Sequence, residues 1–209
     1  MAERHRIQAV RARRVYDSRG RPTIEAEVSA ASGVSGRAIA PAGASKGSGE
    51  ALDRRDGGNA FGGYGVDLAL EGISKRIAPT LIGLDPQDQA AVDQALIELD
   101  GSPDRHVLGA NAMIAVSMAA AHAAAAANNE SLWQHLLGDQ FGPVMLPLPE
   151  IQIFGGGAHA AGRLDVQDFM ITCPGAATVV EALAWTAEIY HSAGLLMAEA
   201  GRLGGVADE

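Results

Sequence analysis

Toward the C-terminal end of the chain stand an imidazole, an amide–carboxylate pair and an acidic pair: His159, Gln167 with Asp168, and Asp208 with Glu209. Two carboxylates brought close in a partly buried site push one pKa upward, so one can hold a proton near neutral pH. Such a group can protonate a leaving hydroxyl. Each of these acids alone, like nearby Asp165, reads as a solvated loop residue, and His159 alone as a structural histidine satisfied by backbone. Two glycine-rich segments flank the picture. Gly155-Gly156-Gly157 permits positive φ and close backbone approach to a ligand, but no Gly-Lys-Ser/Thr follows to make it a nucleotide loop. Ala42-Gly43-Ala44-Ser45-Lys46-Gly47 reads alone as a flexible turn that could cradle an anion or offer the Ser45 hydroxyl to a hard cation. Zinc-type His/Cys spacing is absent.

The elements that must position these groups follow from periodicity. Residues 23–29 alternate, with Ile24, Ala26 and Val28 on one side and Thr23, Glu25 and Glu27 on the other, which predicts a half-buried strand. Ser32-Gly33 turns the chain into a second strand over 34–40, and residues 7–16 supply a third, making an antiparallel meander. Residues 41–63 carry many glycines and no apolar period, as an exposed loop does. Val66, Ala69, Leu70, Ile73 and Ile77 mark a helix face. Asp85-Pro86 predicts an N-cap with Pro at N1, opening a helix that presents Ala91, Val92, Ala95, Leu96 and Leu99. An Ala-rich helix spans 108–128, and residues 138–149, with three prolines, read as a linker. Beyond it the apolar runs 151–154 and 169–172 predict strands buried on both faces. Thr178 to Glu181 has the spacing of a capping box, ahead of a stripe of Leu183, Ala187, Tyr190, Gly194 and Met197. The chain therefore reads as an α+β domain over residues 1–140, followed by the start of a barrel-like or layered α/β unit over 141–209. That second stretch is too short to close such a unit alone.

Composition excludes several classes. With 47% hydrophobic residues in 209 the chain can bury a core, but 4% aromatics leave the packing to aliphatic side chains. A formal charge of −9 argues against nucleic acid as partner. The local exception is the cluster Arg4, Arg6, Arg11, Arg13, Arg14, Arg19 and Arg21, read as a solvated strand face or a subunit contact. Cys173, the single cysteine, reads as a buried small hydrophobe. The N-terminus lacks an apolar signal segment, and the Ala-rich run is short for a membrane span, so a cytoplasmic protein without membrane association is expected.

Taken in order, the motifs resemble enolase. Tyr16-Asp17-Ser18-Arg19-Gly20 with Pro22-Thr23 is similar to the family's opening motif. Gly43-Ala44-Ser45 and Arg55-Asp56 resemble its first mobile loop and the segment after it, and Leu108-Gly109-Ala110-Asn111-Ala112 a helix signature of its cap domain. Leu146-Pro147-Leu148-Pro149, Gly156-Gly157-Ala158-His159-Ala160 and Gln167-Asp168-Phe169-Met170-Ile171 resemble the entry into its barrel, and Asp208-Glu209 the segment carrying its catalytic acid. The resemblance implies an α+β N-terminal cap domain, then the start of an enolase-type α/β barrel opening with two strands and two helices. It implies magnesium-dependent dehydration of 2-phosphoglycerate to phosphoenolpyruvate: a lysine removes the α-proton, two Mg2+ stabilise the enolate, and a glutamate protonates the departing hydroxide. Carried over, Glu209 is that acid and Asp168 its carboxylate partner. His159, Gln167, Ala44 and Lys46 line the substrate, and Ser45 ligates the second, loop-bound Mg2+. A homodimer through the cap is implied as well.

The chain departs from the family at Asp168, where Glu is usual, and at Ala42, Lys46, Gly49, Gly155 and Ala207, besides Arg21. All but Arg21 lie on motifs that form or cover the site, which suits a paralogue acting on a phosphonate analogue of phosphoenolpyruvate. The family's three main carboxylate ligands, its base lysine and its phosphate-binding arginine have no counterpart in these residues. The expectation is a front half of the lyase, inactive alone; a non-catalytic half-chain that binds a partner is the third reading.

Overall fold

Alternation in the first strands builds the first layer. In the computed structural model, which describes residues 5–43, 47–138, 144–160 and 162–205 (158 and 159 as backbone only), β1 (Ile7–Tyr16) pairs antiparallel with β2 (Pro22–Ala30), and β2 with β3 (Ser35–Ile39). The sheet order is β1-β2-β3, the predicted meander. Asp17 closes the first turn, its Oδ1 accepting from the N–H groups of Arg19 (2.9 Å) and Arg21 (2.8 Å), with Gly20 at φ 71°. Ile24, Ala26 and Val28 are fully buried, as the alternation requires. Thr23, expected on the outer face, is buried too. Its Oγ1 donates to the Ala40 carbonyl at 2.7 Å, which removes the cost of burying the hydroxyl. The outer face carries cross-strand pairs, Arg13 with Glu25 at 2.7 Å and Arg37 with Glu27 at 3.5 Å. Arg14 and Arg21 stack on Phe61 and Tyr64, at 5.0 and 4.7 Å. Much of the arginine cluster is thus a paired, solvated face.

Helices cover the inner face. α1 (Asp67–Gly72) passes through a π turn (Ile73–Ile77) into α2 (Ala78–Leu81), burying Val66, Ala69, Ile73 and Ile77. α3 (Gln89–Asp100) begins later than predicted. Asp88 is its N-cap, accepting from Ala91 N–H at 3.0 Å, while Asp85 closes a local turn onto Gln87 N–H. α4 (Ala110–Ala127) has the length and apolarity of a membrane span, yet it is the centre of this core: Ala112, Ala115, Val116, Ala119, Ala120 and Ala123 are fully buried, and it packs on β2 and β3. α5 (Leu132–Leu137) was not anticipated, although Ser131 and Gln134 form a capping box that the sequence displays.

Between α3 and α4 lies a buried carboxylate. Asp100 accepts from Ser102 N–H (3.0 Å), Ser102 Oγ–H and Leu108 N–H (2.7 Å), fixing the turn that launches α4. Burial alone would raise its pKa, but these hydrogen bonds, with Arg105 nearby, together hold it below the ordinary carboxylate value. A depressed folded pKa gives stability that is present above the unfolded pKa and lost as pH falls through the folded one. Asp100→Asn puts an NH2 against an N–H donor and is expected to destabilise by about 2 kcal/mol at neutral pH. Denaturant melts should show that gap closing below about pH 4; a gap independent of pH would contradict this account.

The chain divides at 140/141 into two units. In the second, β4 (Ile151–Gly155) pairs antiparallel with β5 (Asp168–Ile171), and α6 (Val179–Glu199) follows, N-capped by Thr178 Oγ1, which accepts from Glu181 N–H at 3.1 Å. Two predictions on burial fail here. The strands are half-buried to exposed rather than covered on both faces, with Met170 55% exposed. On α6 the buried residues are Ala182 and Thr186, whereas Leu183 and Tyr190 of the predicted stripe face out. One helix cannot cover both faces of two strands, and α6 is apolar on several sides, so its periodicity does not select a face. Cys173 is buried as expected, its Sγ 3.7 Å from Thr186 Oγ1.

Candidate active site

Within the second unit, the two motifs at the barrel entry meet. Gly156 N–H donates to the Gln167 carbonyl at 2.6 Å, and Gly157 N–H to the Leu164 carbonyl at 2.8 Å. The glycines were expected to permit positive φ and close approach to a ligand. Gly157 has the positive φ, 58°. At Gly156 the close approach is to the chain itself, because an added Cβ would stand 1.8 Å from the Val166 carbonyl oxygen. The turn Gly157–Ala160, which carries the His159 backbone, is thereby tied to the residues leading into β5. Asp168 opens β5 opposite Gly155 at the end of β4 and is exposed. Gln152 Nε2 donates to Asp168 Oδ1 at 2.6 Å. Sequence reasoning passed over Gln152; its signal was a lone amide within the apolar run 151–154.

In the first unit the loop containing residues 44–46 is bracketed by anchored backbone. On the near side Ala40 N–H donates to the Ile24 carbonyl at 3.2 Å. On the far side Gly47 N–H donates to Glu50 Oε1 (2.7 Å), and Leu52 is laced to Asp104 and Ala110 by two backbone hydrogen bonds of 2.8 Å. Asn111, at the start of α4, holds the next stretch: its Oδ1 accepts from Arg54 N–H (3.0 Å) and its Nδ2 donates to the Arg54 carbonyl (3.2 Å). Gly109 permits this, since a Cβ there would lie 2.4 Å from Arg54 Cβ. Arg55 then donates to the Pro22 and Tyr64 carbonyls and pairs with Asp53 at 2.8 Å, while Asp56 accepts from Asp67 and Leu68 N–H groups at the start of α1. Residues 52–56 and the start of α4 are therefore joined in one hydrogen-bonded scaffold.

Of the predicted site residues, the structure describes Gln167 and Asp168 and places them side by side against the glycine turn. His159 is described in its backbone alone. Ala44, Ser45, Lys46 and Glu209 lie outside the described residues, as does Asp208. Among the described residues no three His, Cys, Asp or Glu side chains form a set that could hold a metal. Ser45, the ligand to Mg2+ that the resemblance implies, is among the residues outside that search.

Comparison with known families places both units. The model for the enolase N-terminal domain matches residues 7–136, and that for the enolase C-terminal TIM barrel domain matches residues 143–209.

Proposed function

Because the chain belongs to the enolase family, with its N-terminal domain followed by the start of its barrel domain, we propose that it forms the front half of a lyase that dehydrates 2-phosphoglycerate to phosphoenolpyruvate. The observation that carries this reading is the junction of the glycine turn with Gln167 and Asp168 at the β4–β5 strand ends. In this reading Glu209 holds a proton and delivers it to the departing hydroxyl as the C–O bond breaks, so that water leaves. Asp168 is the carboxylate partner of Glu209 in this reading. His159, Gln167, Ala44 and Lys46 line the phosphorylated acid, and Ser45 is the residue of this chain put forward as a ligand to Mg2+, which supplies charge stabilisation when bound.

The base and the remaining metal ligands come, in this proposal, from chain beyond these residues. Lys75 is the one lysine among the described residues, and it is committed to an ion pair with Glu71 in the π turn of the first unit. We place the enzyme in the cytoplasm as a homodimer.

A second reading rests on the departures at Asp168, Lys46, Gly155 and Ala207, which add or move charge and backbone on the site motifs. Under it the substrate is a phosphonate analogue, with Lys46 meeting the added anionic group. Steady-state assays of the full-length protein on both acids decide between them. We expect kcat/KM to favour 2-phosphoglycerate by roughly 100-fold, the scale on which a pocket discriminates between close isosteres. A preference for the phosphonate would replace the first reading with the second.

A further inference from the structure

We propose that Gln152 is a positioning residue for the Asp168 carboxylate, aimed at it by a β-bulge; the inference rests on the reading of Asp168 as the carboxylate partner of the acid. The argument starts from register. Gly155 pairs with Asp168 and Phe154 with Phe169, so an unbroken ladder would set Gln152 opposite Ile171. That would put its side chain on the face away from Asp168, because side chains alternate along a strand. Instead the register shifts between Gln152 and Phe154, and Gln152 pairs with Met170. Two steps along β4 answer one step along β5, which leaves Ile153 as the extra residue of a bulge. Met170 and Asp168 are two residues apart and share a face, so the bulge turns Gln152 onto that face.

Length completes the match. Gln152 and Asp168 stand on a diagonal, a separation too wide for two short side chains but within reach of a long one. The glutamine amide spans it and donates to Asp168 Oδ1 at 2.6 Å. Asp168 is one methylene shorter than the glutamate its motif leads one to expect, and the long amide meets it from the other side. Each methylene is worth about 1.5 Å of reach. Shortening Gln152 to Asn therefore opens the contact to roughly 4 Å, outside hydrogen-bonding distance.

The test is a cycle of reach exchange. In this chain at neutral pH, the carboxyl-carbon NMR resonance of Asp168 should shift in Gln152→Asn, since the 2.6 Å hydrogen bond it accepts is lost. In the full-length protein, Gln152→Asn should lower kcat on 2-phosphoglycerate by roughly 10-fold with KM little changed. Adding Asp168→Glu to that variant restores the span and should recover most of the loss. An unmoved Asp168 carboxyl resonance overturns the proposal, and so does a double variant slower than Gln152→Asn alone. If the wild-type full-length protein leaves 2-phosphoglycerate untouched, the lyase reading falls, and the Asp168 carboxyl resonance alone decides whether Gln152 holds Asp168.

Discussion

Gly36→Val will leave the N-terminal unit unable to fold, and Gly36→Ala will lower its melting temperature by roughly 10 °C. Gly36 lies on β3 opposite Val28, where α4 crosses the sheet. An added Cβ would meet Ala123 N at 2.1 Å, the Ala119 carbonyl oxygen at 2.4 Å and His122 C at 2.6 Å. All three are helix backbone, so no side chain can rotate away. The buried alanines of α4 let the helix settle this close, and only a residue without Cβ lets the strand meet it. A single methyl here must push α4 off the sheet, an overpacking cost of about 3 kcal/mol. That is a large part of the 5–15 kcal/mol or so that a domain holds in reserve. Gly49→Ala is the control: a Cβ there meets nothing within 4 Å and φ is not positive, so melting should be unchanged. Circular dichroism melts of the three variants check the ranking, and an unaffected Gly36→Ala would mean that α4 does not lie on β3 as described.

Gly156→Ala will reduce kcat of the full-length protein by roughly 100-fold, the scale of an ångström-sized displacement of a reacting group. Its melting temperature for the first unit should not change. The added Cβ would stand 1.8 Å from the Val166 carbonyl oxygen and 3.0 Å from Leu164 Cβ, so residues 164–167 must retreat. Retreat breaks the 2.6 Å hydrogen bond to the Gln167 carbonyl, which joins the glycine turn to the start of β5. Asp168 then leaves its place while the rest of the fold stands. Gly194→Ala, in mid-helix with nothing within 4 Å of the new Cβ, should keep full activity. A stopped-flow or steady-state comparison of the two variants separates a positional effect from a general loss of glycine.

Where the sequence is periodic and one face is buried, the fold was legible. β1 runs over the predicted residues, the meander has the predicted order, and α4 closes near Asn128. The start of α3 was misread because Asp85 and Asp88 offer the same capping chemistry three residues apart, and Asp85 spends its carboxylate on a turn. Thr23 was placed on the wrong face because alternation treats a hydroxyl as polar, whereas a hydroxyl bonded to the Ala40 carbonyl buries readily. α6 carries Val180, Leu183, Trp185, Ile189 and Leu196 around much of its circumference, so its inward face depends on what packs against it. At the site, motif spacing identified Gln167 and Asp168 but not the residue that holds Asp168. A bulge is invisible in a run of apolar letters, and it alone decides on which side Gln152 emerges.

The most direct measurement is turnover of 2-phosphoglycerate by the full-length protein and its Glu209→Gln variant, followed through the absorbance of the enol product. Removing a general acid should cost about 1,000-fold in kcat, with substrate still bound, and these 209 residues alone should give no turnover. A wild-type protein inert toward 2-phosphoglycerate, or a Glu209→Gln variant as fast as wild type, would contradict the assignment of the acid to this chain.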